Sequence, residues 1–283
     1  MVATAQLPQN QTSWEATLDL SFAEKNNKTI LASKQHSGPL MVQKPFYPEP
    51  NGCCHIYLIH PPGGIVGGDT LTLNAHLDTN AHALITTPAA TKFYRSTGIQ
   101  ARQNQTINLG KNAILEWLPQ ETVYFSNTNA SSTTRINLTD NNRFFAWEIQ
   151  CLGLPAQKEF FIAGQCRQKL EIWKNKKPVL LETNRLIGGD ALLDASFGLQ
   201  GYKSVGTFVT TDHEASINLE AINNIALQFT DMNTSYTSLN GLFIVRALSA
   251  YAETIKDYFT ALWKILRPQI LQLESSTPRI WHT

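Results

Sequence analysis

The feature that most constrains this chain is a recurrence of short segments in which apolar and polar residues alternate. In WEATLDLSF, Trp14, Ala16, Leu18 and Leu20 stand on one side, and Glu15, Thr17 and Asp19 on the other. In DTLTLNAHLD the apolar set is Leu71, Leu73, Ala75 and Leu77. A period of two is the signature of a strand with one face buried. The pieces TILASKQHSGPLMVQKPFY (broken at Ser37-Gly38-Pro39), CHIYLIH, AHALITTP, ARQNQTINLG and NAILEWLP continue the series. STTRINLTDNN, RFFAWEIQCLG, QKLEIWKNKKPVLLETNRL and VGTFVTT extend it. Turn residues return about every 8–12 positions, the spacing of an all-β fold. No repeat of fixed period stands out, but the even spacing suits stacked β layers. The polar stretch SNTNASSTT, residues 126–134, reads as a surface loop.

Two stretches break this rhythm. SINLEAINNIALQF puts Leu219, Ile222, Ile225, Ala226 and Phe229 at helical spacing, with Ser216 as N-cap. Residues 249–272 place Ile255, Phe259, Leu262 and Leu266 on one stripe, with Ser249 as cap and Pro268 expected to end or kink the helix. No linker separates independent domains. The expectation is therefore one mainly β domain over 1–283 with about two helices towards the C-terminus, a flexible stretch at 1–12 and a tail at 278–283.

Of 283 residues, 42% are hydrophobic and the net charge is +1. That balance supports a core and gives no reason to expect nucleic-acid or anionic-membrane binding. The start has no charged n-region followed by an apolar run, and no segment approaches about 20 apolar residues. Cys53, Cys54, Cys151 and Cys166 form neither a CxxC nor a disulfide framework. The cytoplasm is the expected compartment.

Recognised catalytic patterns are missing. Gly-x-Ser-x-Gly, HExxH and paired CxxC are absent. Cys53, Cys54, His55 and His60 are the densest group of metal-type donors. Cys53 and His55 would share a strand face, a soft pair suited to nickel, copper or zinc, but ordinary strand residues are the favoured reading. The run IHPPGGIVGGDTLTL holds His60, Gly63, Gly64, Gly67, Gly68 and Asp69. It lacks the lysine of a phosphate loop and leads into a strand, so a phosphate cradle is not the expected reading. It is a tight backbone path. Asp69 is either a turn aspartate or a carboxylate beside a cleft.

HPPGGIVGGD followed by ALITTPAATKFYRS resembles the UreD (also UreH) family of urease accessory proteins. WEATLDLSF, GPLMVQKPFYPE, LEWLPQETVYF, AWEIQCLGLP and the closing PRIWHT extend the resemblance nearly end to end. It implies a layered, β-helix-like body and a non-catalytic scaffold. The implied partners are the urease apoenzyme, UreF and, through UreF, the GTPase UreG. No tightly bound cofactor is implied, only Ni²⁺ in transit through an internal tunnel. The residues matching the tunnel reading are Asp69, Glu148, Glu182 and Thr91. Glu148 and Glu182 could instead be strand carboxylates paired with Arg or Lys. After FYP, where some relatives carry several acids, this chain has only Glu49. Lys92, Tyr94 and Arg95 suit an interface or a strand-end salt bridge, and Trp263, Arg279 and Trp281 suit an interface with UreF. The alternatives are an adaptor without a nickel path and, remotely, a β-helix carbohydrate-active enzyme, which needs two carboxylates about 5–9 Å apart.

Overall fold

The computed structural model describes residues 13–212 and 217–282. The expectation for residues 1–12 and the cap at Ser216 lie outside them. The strands begin with β1 (Glu15–Lys25), β2 (Lys28–Ser37), β3 (Met41–Val42), β4 (Cys54–Ile59), β5 (Thr70–Leu77) and β6 (His82–Thr86). Next come β7 (Thr91–Phe93), β8 (Ala101–Leu109), β9 (Ile114–Trp117), β10 (Thr122–Tyr124), β11 (Thr128–Leu138) and β12 (Arg143–Leu154). The last are β13 (Glu159–Phe160), β14 (Gly164–Lys174), β15 (Lys177–Ile187), β16 (Ser204–Thr211), β17 (Met232–Leu239) and β18 (Leu242–Ser249). Helix α1 (Leu219–Ala226) precedes β17, and α2 (Ala252–Leu271) follows β18.

The chain winds between two sheets. β1, β5, β8, β11 and β14 lie parallel in the first, and β4, β6, β9 and β12 lie parallel in the second. Each coil adds one strand to each sheet, the arrangement of a β-solenoid. Hairpin β1–β2 closes one edge of the first sheet and β14–β15 the other, while β16, β18 and β17 extend the second beyond β12, each antiparallel to the strand before it. The corners repeat an asparagine in left-handed backbone: Asn80, Asn112 and Asn141, with φ of 62°, 58° and 59°. Asparagine tolerates that region better than other side chains. Asn112 Nδ2 donates to Asn80 Oδ1 and Asn141 Nδ2 to Asn112 Oδ1, at 3.1 and 3.2 Å, so each corner supports the next.

Two cores result. Inward residues such as Leu18, Leu73, Ala83, Ile107 and Phe144 fill the space between the sheets. The outer face of the second sheet carries Phe145, Trp147 and Phe208, which α2 covers with Ile255, Phe259, Leu262 and Leu266. β12 is buried on both faces, which explains its nearly continuous apolar run. Gly206 permits the close approach of α2, because a Cβ there would stand 2.6 Å from Ile255 Cγ2 and 2.8 Å from Phe259 Cε2.

Several expectations need correction. Residues 128–134 are not a loop but half of β11, because Ala130, Ser132 and Thr134 are small enough to face the interior. Residues 232–249 form a hairpin that the alternating pattern did not disclose. Ser249 ends β18, and its Oγ accepts from Tyr251 N rather than capping a helix from within. The helix begins at Ala252 and runs through Pro268 to Leu271, where Gln272 turns left-handed. Asn218 caps α1, accepting from Ala221 N.

Candidate functional site

The glycine run is the corner that carries the chain from β4 to β5. Ile65 N donates to Lys92 O (2.7 Å) and Tyr94 N to Ile65 O (2.9 Å), tying the run alongside β7. A Cβ on Gly64 would lie 2.1 Å from the Tyr94 ring, so the ring packs directly against the glycine. Asp69 is buried. Its Oδ1 accepts from Trp14 N (2.9 Å) and its Oδ2 from Val66 N (3.0 Å), the bonding of a turn aspartate. Behind the corner lies a cavity of about 310 Å³ lined by His60, Gly63, Gly64, Leu73, Thr91 and Gln105, among others. Burial lowers the pKa of His60, with Asp69 opposing.

From this cavity a polar seam runs between the sheets, where a solenoid interior would ordinarily be apolar. Two inward rows of the first sheet lie in register. One is Leu71, Gln103, Ser132, Gln168 and Asn184; the other is Leu73, Gln105, Thr134, Leu170 and Glu182. Both are leucine at β5 and turn polar at β8 and β11; the first stays polar to β15, while the second is broken by Leu170 on β14 before Glu182. The second sheet answers with Trp117, Glu148, Gln150, Thr207 and Arg246. Thr134 Oγ1 stands 2.7 Å from Gln105 Oε1 and 2.6 Å from Glu148 Oε1. Trp117 Nε1 donates to Glu148 Oε1 (3.1 Å), and Gln150 Nε2 to Gln168 Oε1 (2.7 Å). Burial raises the Glu148 pKa, and hydrogen bonds from Thr134 and Trp117 pull the other way. At the far end Thr207 Oγ1 donates to Glu182 Oε1 (2.5 Å) and Arg246 Nε to Oε2 (2.8 Å). Tyr124 Oη, Gln150 Oε1 and Gln168 Nε2 are buried without a protein partner.

A second polar cluster lies on the other side of the second sheet, under α2. Arg267 is fully buried. It donates to Glu116 (Nε to Oε2, 2.9 Å; Nη2 to Oε1, 3.0 Å) and to Glu49 (Nη2 to Oε2, 2.7 Å). His82 Nε2 lies 2.8 Å from Glu116 Oε1, His55 Nε2 lies 2.7 Å from Glu49 Oε1, and Trp263 Nε1 donates to Glu116 Oε2 (2.7 Å). Burial opposes ionisation of Glu116, but His82 and Arg267 outweigh it and hold the carboxyl at about 2. Glu49 is lowered by His55 and Arg267 against the same burial. Ligand atoms of Glu49, Cys53 and His55, and of Cys53, His82 and Glu116, come within 4.8 Å of one another. A cation already serves both carboxylates, however, and burial pushes the Cys53 thiol well up. The cluster is an ion-pair network that fastens α2 to the sheet.

A family model for the UreD urease accessory protein matches residues 15–282. The chain belongs to the UreD family of urease accessory proteins. It is 41% identical over 270 residues to a UreD from Enterobacter sp. (strain 638), covering 95% of this chain and 96% of the relative. It is 40% identical to UreD of Klebsiella aerogenes, covering 98% and 100%, and 38% identical to that of Trichormus variabilis, covering 95% and 96%.

In this UreD-family fold Thr91, Glu148 and Glu182 share the inter-sheet space, whereas Asp69 sits on the corner with both oxygens engaged. Trp263 is 0% exposed and Trp281 is half-buried, with its ring 5.7 Å from Trp147 and 6.1 Å from Trp263. Both belong to the helix layer, because flat rings fill the gap between α2 and β12. Arg279 and Arg95 are exposed, Lys92 is partly so, and Tyr94 stacks on Phe125 at 5.0 Å. The sequence reading missed Gln105, Thr134, Thr207 and Arg246 in the seam. The strand pattern held the signal: in ARQNQTINL the inward positions after Ala101 are Gln103 and Gln105. No helix among the described residues is long and apolar enough to cross a membrane.

Proposed function

We propose that this UreD-family protein serves urease maturation as a non-catalytic scaffold that binds the urease apoenzyme and UreF, and UreG through UreF. Its cargo is Ni²⁺, which moves along the seam between the two sheets. The observation that carries this reading is polarity inside a solenoid: Gln105, Thr134, Glu148, Thr207 and Glu182 continue from a cavity where apolar residues would pack better. Buried polar atoms without protein partners are ordinarily met by water. The donors are carboxylate, amide and hydroxyl oxygens, with one carboxylate midway along the polar stretch, Glu148, and one at its far end, Glu182. Such sites hold a hydrated dication weakly enough to release it, whereas a His/Cys cage would retain nickel. Asp69 serves the path by fixing the corner at its mouth.

A second reading is an adaptor without a path. Its support is that Glu148 and Glu182 already have partners, so the seam can be read as a self-satisfied structural network. Glu148→Gln separates the two. Cells carrying the urease operon would express the variant, and nickel per urease would be read with co-purification of the partners. The path reading expects low nickel with intact complexes. Full nickel leaves the adaptor.

A further inference from the structure

Glu182 and Arg246 form the last crossing between the two sheets. Glu182 lies on β15, the final strand of the first sheet, and its side chain is only 12% exposed. Its three donors come from the opposite sheet: Thr207 on Oε1, and Nε and Nη2 of Arg246 both on Oε2, the latter at 2.5 Å. Thr207 and Arg246 are register neighbours on β16 and β18. The Arg246 side chain is 45% exposed, so its guanidinium stands between an enclosed carboxylate and solvent.

We infer that Arg246 is a specificity-determining gate for the cargo: it occupies Glu182 in place of a dication and yields that carboxylate only to an ion delivered along the seam. This inference rests on the nickel-path reading. Three features support it. An arginine cannot be neutralised by losing its proton, so the gate is a permanent positive charge. That charge repels solvent cations from the open side. Both N–H groups fall on one oxygen rather than forming the stronger two-oxygen fork, and the pair is half in water. A dication bound to the carboxylate can therefore displace it. The fold also supplies a control. Arg135 and Glu171 pair across the first sheet with the same exposures, 45% and 12%, but are not part of the seam.

The test compares full-length wild type with Arg246→Met, Arg246→Lys, Arg135→Met and Glu182→Gln, purified with their partners. Ni²⁺ and Mg²⁺ uptake would be read by equilibrium dialysis, and nickel per urease in cells at limiting nickel. The gate predicts that Arg246→Met tightens Ni²⁺ binding roughly five-fold, the factor a half-exposed ion pair withholds. Mg²⁺ should then compete, and nickel per urease should fall. Arg246→Lys keeps a cation and should stay close to wild type, Arg135→Met should change nothing, and Glu182→Gln should lose the uptake. Unchanged Ni²⁺ binding in Arg246→Met, or an equal change in Arg135→Met, overturns the gate. If Arg246→Met fails to fold, Arg246→Lys with Glu182→Gln decides: wild-type uptake by Lys and loss by Gln support the gate, and any other pair of results overturns it. Low nickel in Glu148→Gln with no effect at Arg246 leaves the path standing and removes only the gate. Full nickel in Glu148→Gln removes both.

Discussion

Arg267 Nε donates to Glu116 Oε2 at 2.9 Å across 151 residues of sequence, with both side chains fully buried. The pair joins α2 to β9, and Nη2 extends it to Glu49, 218 residues away. Nη1 donates to the backbone of Glu274 just beyond the helix. One guanidinium thus holds the helix, the second sheet and the loop before β4 in register.

Removing that cation leaves two buried carboxylates facing each other. Arg267→Met is expected to destabilise the fold by about 3–5 kcal/mol. Adding Glu116→Gln and Glu49→Gln should restore part of the loss by removing the unpaired charges. Urea unfolding of the single and triple variants checks this. A Met variant as stable as wild type would show that the network contributes little.

Acid should attack the same network. The Glu116 carboxyl titrates at about 2, below its ordinary 4.5. A lowered pKa contributes stability that is present above the unfolded value and is lost as pH falls from about 4.5 towards about 2. The shift corresponds to about 3 kcal/mol over that window. Glu116→Gln should flatten the acid limb of the stability curve. Parallel acid limbs for variant and wild type would contradict the assignment.

The tail behaves as part of the core. Trp281 Nε1 donates to Thr86 Oγ1 (2.9 Å), and Lys256 Nζ lies 4.3 Å from its ring centre. Trp281→Ala is expected to cost about 1–3 kcal/mol, less than a fully buried tryptophan. Arg279→Ala, at an exposed position, should stay within about 0.5 kcal/mol. Deleting residues 278–283 therefore mixes folding with any loss of partner binding, and Arg279→Ala is the cleaner probe of an interface. Equal unfolding midpoints for Trp281→Ala and wild type would return the ring to the surface.

The legible parts of the fold were those where one strand face is apolar and the other polar. Leu71, Leu73, Ala75 and Leu77 announced β5, and the absence of a lysine in the glycine run argued against a phosphate loop. The piece STTRINLTDNN announced the later part of β11, but its start was hidden because the inward face there is Ala130, Ser132 and Thr134, small like its outward face. β17 was hidden because MNTSYTSL is an edge strand with little to bury. Glu148, Glu182 and Thr91 came from family resemblance; the first two lie along the polar seam and Thr91 lines the cavity from which it starts. The network of Glu49, Glu116 and Arg267 had no local signal, since its members are brought together only by the winding of the solenoid.

Asp69 tests the division between corner and path. A carboxylate needed only on a nickel route could become leucine, in Asp69→Leu, at no cost to the fold. The two backbone donors it serves, Trp14 N and Val66 N, argue otherwise. Leucine strands both, and each unmet, partly buried N–H costs about 1–3 kcal/mol. Asparagine retains one acceptor oxygen and removes the charge. The expectation is a loss of about 2–4 kcal/mol for Asp69→Leu and about 1 kcal/mol for Asp69→Asn. At matched amounts of folded protein, Asp69→Asn should load urease with nickel as wild type does, because its work is done through backbone amides. Thermal unfolding and nickel per urease, measured together, decide it. A stable Asp69→Asn protein with poor nickel loading would move Asp69 from the corner onto the cargo's route.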